Sequence, residues 1–111
     1  MKEKLIEPSI KIYILHHTQK PIGVVRFEIN DTIIVGITVA PSHRGMGLGA
    51  KILNVACNKF WRNYTSDIYA YIKKGNIASQ RIFEKAGFTF QCEGMFNSIE
   101  CMILKAEKND C

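Results

Sequence analysis

The residues best arranged for chemistry lie in the segment Val39-Ala-Pro-Ser-His-Arg-Gly-Met-Gly-Leu-Gly-Ala50. Glycines stand at alternate positions 45, 47 and 49, and Arg44 precedes them. Glycine has no Cβ, so a ligand can come close to the backbone there. A helix starting near Leu48 leaves its first amides without intrahelical acceptors, and its dipole adds positive potential. Such a start binds anions, and a pyrophosphate is its natural ligand. A turn that only joins a strand to a helix rarely needs three alternating glycines and an arginine. A P-loop ends in Gly-Lys-Ser/Thr, whereas residues 49–51 are Gly-Ala-Lys. A dinucleotide fingerprint has the spacing G-x-G-x-x-G and an acid after the next strand. Here the spacing is G-x-G-x-G and Asp67 precedes that strand, which leaves this reading a minor one.

The elements that must position this loop follow from periodicity. Residues 10–16 alternate as a strand, residues 18–21 turn, and residues 22–29 form a second strand. Asn30-Asp31 is a turn signal, and residues 32–39 return as a third strand. These three read as an antiparallel meander. The loop follows, then a helix over 48–62, with apolar positions 52, 53, 56, 57, 60 and 64 at helical spacing. Residues 67–73 form a strand reached by a helical crossover, so it runs parallel to the third. A second helix over about 76–86 starts at Asn76, a good N-cap, and ends before Gly87. Strands near 89–96 and 99–105 close the chain around a turn at Asn97-Ser98. The order β-β-β-α-β-α-β-β implies an α+β (α/β) fold: a mixed, mostly antiparallel sheet with helices packed on it, in one domain over residues 1–111.

The loop fits an Arg-x-x-Gly-x-Gly/Ala signature as Arg44-Gly-Met-Gly47-Leu-Gly49. A second stretch, Asn76-Ile-Ala-Ser-Gln-Arg-Ile-Phe-Glu-Lys-Ala-Gly-Phe88, reads Asn-x-x-Ser, then an aromatic, then Gly-Phe. The two together resemble the Gcn5-related N-acetyltransferase (GNAT) superfamily, over roughly residues 10–105. That family usually opens with a strand and one or two helices before the meander, and those helices form a wall of the acceptor pocket. No more than nine residues precede the first clear strand here. The chain thus resembles a short form without the usual N-terminal strand and helices. A homodimer mate or another partner subunit would then close the pocket, unless the domain is a noncatalytic coenzyme A-binding module.

The resemblance implies direct transfer of acetyl from acetyl-CoA to an amine. It places Ile37, Thr38 and Val39 beside the pantetheine arm, which inserts where two strands part. The Val39 amide would hold the thioester carbonyl and stabilise its developing oxyanion. The amides of Arg44, Gly45, Met46, Gly47, Leu48, Gly49 and Ala50 would hold the pyrophosphate. Arg44 would add charge-assisted hydrogen bonds. Asn76 would bond the pantetheine while also capping its helix, and Ser79 lies one turn on. Phe83 would border the coenzyme, at the place where many relatives carry a tyrosine that protonates the leaving thiolate, and it has no proton to give. Tyr71, on the same strand face as Tyr69, occupies the place of a catalytic glutamate in some relatives. Glu28, on a central strand, is the leading acidic candidate for the base that an attacking amine needs. His43 has a suitable intrinsic pKa but flanks the phosphate loop. His16, His17, Glu93 and Glu100 are lesser candidates.

Composition bounds the partners. The chain has 111 residues, is 47% hydrophobic and carries a formal net charge of +5. That charge suits an anionic coenzyme or a phosphorylated substrate. No dense basic run with interleaved aromatics argues for nucleic acid. No run of about 18 apolar residues argues for a membrane span, and no apolar stretch after the N-terminus argues for a secretory signal. The cysteines at 57, 92, 101 and 111 have no C-x-x-C spacing. They read as reduced packing residues of a cytoplasmic protein, with no metal site. The resemblance implies an acceptor that is a primary amine of a small molecule. The run from Tyr69 to Ser79, with Val25-Arg-Phe27, is similar to acetyltransferases of nucleotide-linked amino sugars. Protein N-terminal amines, lysines and polyamines stay open.

Overall fold

The computed structural model describes residues 2–7, 9–45 and 47–108, the first of these stretches by its backbone. The elements are β1 Lys2–Glu7, β2 Ile10–His17, β3 Lys20–Ile29, β4 Ile33–Val39, α1 Leu48–Phe60, β5 Ile68–Lys73, α2 Ile77–Lys85, β6 Thr89–Phe96 and β7 Ile99–Ala106. A short 3-10 turn, Pro41–His43, precedes the glycine loop. Each element expected from periodicity is present, with ends within two residues of the expectation.

One strand was not foreseen. β1 pairs antiparallel with β2, from Lys2–Ile14 to Glu7–Ile10. The opening strand is therefore present, which corrects the expectation that the fold lacks it. Its sequence, Lys-Glu-Lys-Leu-Ile-Glu, hides it: four of six residues are charged, as suits a sheet edge that must not pair further. What is missing is a helix between the first two strands, since β2 begins at Ile10 shortly after β1 ends at Glu7.

The sheet order is β1-β2-β3-β4-β5-β7-β6. The β2–β3 and β6–β7 hairpins turn through Thr18-Gln19 and Asn97-Ser98, all four with positive φ. Turns of that hand match the twist of the strands they join. α1 is the crossover that makes β4 and β5 parallel. Their pairing consists of Ile33–Ile68 and Ile34–Tyr69 and then stops. β4 runs on to Val39, paired with β3, and β5 to Lys73, paired with β7, without pairing with each other again. The sheet is thus split at its centre, over the ends of two strands.

Residues opposed across these ladders share a face. On one face, Tyr13, Val25, Phe27, Val35, Ile68, Ala70 and Leu104 are buried together with Ile52, Leu53, Ala56 and Phe60 of α1 and Phe83 of α2. Both helices therefore cover the same side. Phe60 stacks on Phe27 and on Tyr64, each at 4.3 Å between ring centroids, which fixes the end of α1. The opposite face holds Ile12, Val24, Arg26, Glu28, Ile34, Tyr69 and Tyr71, half-buried or exposed, and no described helix packs on it. Cys57 and Cys101 are buried free thiols, as packing residues should be. Cys92 is instead exposed on the edge strand β6, which removes it from that class. Cys111 lies outside the described residues.

Candidate functional site

The loop before α1 is shaped by backbone conformations that side chains disfavour. Gly45 and Gly47 have φ of 77° and 73°. A Cβ in that region meets the following carbonyl oxygen. Gly47 is the N-cap of α1 and offers no side-chain cap, and the first turn carries no acidic residue. The first amides of α1 thus keep their donors, at the positive end of the helix dipole. Met46, expected among the phosphate-binding amides, lies outside the described residues.

Gly49 has a different role from its neighbours. A Cβ there would stand 2.9 Å from Cδ1 of Ile82 on α2. Its missing side chain lets the two helices close against each other. The three alternating glycines therefore divide: two set the loop, and one packs α1 on α2.

Arg44 ties the loop to the strand before it. Its Nε donates to the carbonyl oxygen of Val39 at 2.9 Å. Its terminal guanidinium nitrogens make no bond among the described residues and remain available to an anion. The Val39 backbone faces the split in the sheet. The Ala40 amide donates to Ile22 on β3 at 2.8 Å. Strand alternation then turns the amides of Ile37 and Val39 the other way, toward the side where β5 no longer pairs.

Asn76 caps α2 as expected, its Oδ1 accepting from the Ser79 amide at 3.2 Å. Its side-chain nitrogen is not used by that bond. The end of β4, the loop, the start of α1 and one stripe of α2 line a single cavity of about 670 Å³. Ile37, Thr38, Val39, Arg44, Gly45, Gly47, Leu48, Gly49, Ala50, Asn76 and Ser79 all line it. So do Ala78, Arg81, Ile82 and Lys85, which sequence reasoning left out. Their signal was available: 78, 81, 82 and 85 are spaced 3, 1 and 3 apart, the spacing of one helical face. The cations on the cavity are Arg44, Arg81 and Lys85, His43 also lines it, and no acid lines it among the described residues.

Phe83 does not belong to this lining. It is 4% exposed, in edge contact with Phe88 at 5.0 Å, and forms part of the core. This corrects its assignment to the coenzyme surface. One residue along a helix is a rotation of about 100°, so the position after Ile82 turns from cavity to core. Glu28 and Tyr71 do not line the cavity either. Both lie on the helix-free face. Glu28 accepts from Arg26 at 2.9 Å, and Tyr71 rests its ring on Phe96 at 5.1 Å. His43 does line the cavity. Its Nδ1 is 2.8 Å from Ser42 Oγ, and its ring is 6.3 Å from that of His17. His16 keeps a buried Nδ1 without a described partner. Glu93 and Glu100 pair with Lys74, at 3.2 and 3.9 Å.

The model of the acetyltransferase (GNAT) family matches residues 2–88, which include both the loop and α2. The chain belongs to that family. Solved acetyltransferases share its fold. Aminoglycoside acetyltransferase AAC(6')-Ib with coenzyme A superposes with a TM-score of 0.80 at 20% identity, over 90% of this chain and 67% of that one. The same enzyme with paromomycin and acetyl-CoA gives 0.80 at 20%, over 90% and 66%. A variant of spermidine N-acetyltransferase SpeG from Vibrio cholerae gives 0.78 at 19%, over 92% and 68%. This GNAT chain thus spans about two thirds of the length of those structures. No curated protein matches it in sequence.

Proposed function

We propose that this GNAT-family chain is an acetyl-CoA-dependent N-acetyltransferase, one domain acting in the cytoplasm on a primary amine of a small molecule. The observation that carries the reading is a convergence. An uncapped helix start, the unpaired amides of β4 and the Asn76 end of α2 meet in one acid-free cleft. Each suits a different part of coenzyme A. The amides from Arg44 to Ala50 take the pyrophosphate. The edge amides of Ile37 and Val39, with Thr38 between them, take the amide-bearing pantetheine arm as a missing strand would be taken. Asn76 and Ser79 border that arm.

Bound acetyl-CoA supplies an activated acyl thioester. The Val39 amide then donates to the thioester carbonyl oxygen and stabilises the charge that grows there as an amine attacks. Arg44 holds the Val39 carbonyl, in the peptide that follows this amide, and so restrains the end of β4 on the other side of the Val39 Cα. The attacking amine must be neutral. Glu28, expected as the base, pairs with Ile34, about 17 Å along β4 from Val39, too far to take the amine's proton without a chain of waters; Tyr71 is a proposed acceptor contact. Both lie on the helix-free face, from which an acceptor could reach the split between β4 and β5 without crossing the coenzyme cleft. A homodimer mate or partner subunit would close that open face. The relatives are named for aminoglycosides and spermidine, both amines. The net charge of +5 favours an anionic acceptor, such as a nucleotide-linked amino sugar, over a polyamine.

One observation favours a second reading. Phe83 is buried and cannot protonate a leaving thiolate. A noncatalytic coenzyme A-binding partner subunit would need no such donor. Calorimetric titration with acetyl-CoA, followed by thiol release with amino sugars, polyamines, lysine peptides and peptide N-termini, separates the two. Turnover on a small-molecule amine supports the enzyme. Tight binding with no turnover on any class supports the binding subunit.

A further inference from the structure

The α2 face of the cleft changes character along its length. Its N-terminal end presents Asn76 and Ser79, polar and uncharged, whereas its C-terminal half presents Arg81 and Lys85. From Asn76 to Lys85 the helix rises about 13 Å. Arg81 and Lys85 are four residues apart and so are neighbours on the surface. Lys85 suits the last turn of α2, where the helix dipole favours a cation, but a like-charged partner four residues before it offsets that gain, so folding gives little reason for the pair. Neither side chain is in an ion pair or hydrogen bond among those observed between described residues, and Glu84 between them does not line the cleft. The amides at the start of α1 and Arg44 already supply donors for a pyrophosphate. Two further cations therefore face the same cavity without an anion to match.

We infer that Arg81 and Lys85 form a subsite for a phosphate monoester, so that the chain distinguishes coenzyme A from its form lacking the 3′-phosphate. The inference rests on the coenzyme reading above. A monoester carries close to two negative charges at neutral pH, which the pair balances. Arginine offers a fork of donors to its oxygens and lysine a point charge.

The test is calorimetric titration with coenzyme A and with dephospho-coenzyme A, on the wild-type chain and on the double variant Arg81→Gln/Lys85→Gln. Both substitutions are at exposed positions. The wild type is expected to bind coenzyme A about tenfold more tightly than the dephospho form, on the scale of one charge-assisted hydrogen bond. The double variant is expected to bind both forms alike, at the wild-type affinity for the dephospho form, which also shows that its cleft is folded. Equal wild-type affinity for the two forms overturns the inference and leaves the coenzyme reading standing. So does an equal loss for both forms in the variant, which would make the pair part of the pyrophosphate site. Failure of the wild type to bind either form overturns both readings together.

Discussion

At the scale of single residues, the glycine loop is three solutions to two problems. Gly45 and Gly47 provide a left-handed backbone, and Gly49 provides room. Their types and positions were legible in the sequence, but not this division, because it depends on Ile82 reaching across from another helix. Gly49→Ala is expected to cost about 1–3 kcal/mol, the range for overpacking a tight contact. Pairing it with Ile82→Ala, which removes the three atoms nearest the new methyl, should cost less than the two single changes summed. Chemical unfolding of the three variants gives the coupling, and strict additivity would contradict the contact. Cys57 offers a test by pH. Burial pushes its thiol from 9.0 up to about 12, so the folded state holds the proton more tightly than the unfolded chain. Stability from this group is complete below pH 9 and is lost as pH rises toward 12. Cys57 should therefore resist a thiol reagent at pH 8 until the chain unfolds, and prompt modification in the folded state would contradict its burial.

At the scale of elements, the decisive feature is a pairing that stops. β4 and β5 share two register pairs, and the rest of β4 turns its outward amides to the cleft. Periodicity located both strands to within a residue. It could not show where their ladder ends, since nothing local marks that point in either strand. It missed β1 for a different reason: a charged edge strand carries little hydrophobic alternation. The stripe 78, 81, 82 and 85 was legible in spacing, but Arg81 and Lys85 look like an ordinary solvated face until α1 is seen opposite. Asn76 joins two roles that a substitution can part. Asn76→Asp keeps an N-cap acceptor, so thermal stability should hold within about 0.5 kcal/mol. The same change removes a donor and adds negative charge to a cleft that has none. Coenzyme A affinity measured by calorimetry should fall at least tenfold. Unchanged affinity would reduce Asn76 to its capping role.

At the scale of the molecule, α1 and α2 are on one side of the sheet, and the cleft that both line is formed there. The other face presents Ile34, Tyr69, Tyr71 and the Arg26–Glu28 pair with no described helix over it. If a second copy closes it, light scattering should give a mass near twice the 12.6 kDa of the chain. A mass of 12.6 kDa at every concentration used for turnover would contradict a homodimer. One measurement reaches the donor side of the site directly: the melting temperature of the wild type and of Gly47→Val with rising coenzyme A. A ligand that binds only the folded state raises stability by RT ln(1 + [L]/Kd). The wild type should melt progressively higher as coenzyme A is added. Gly47→Val, whose loop cannot hold a φ of 73° without strain, should melt at the same temperature with and without it. No shift in the wild type, or equal shifts in both proteins, would contradict the assignment of this cleft to coenzyme A.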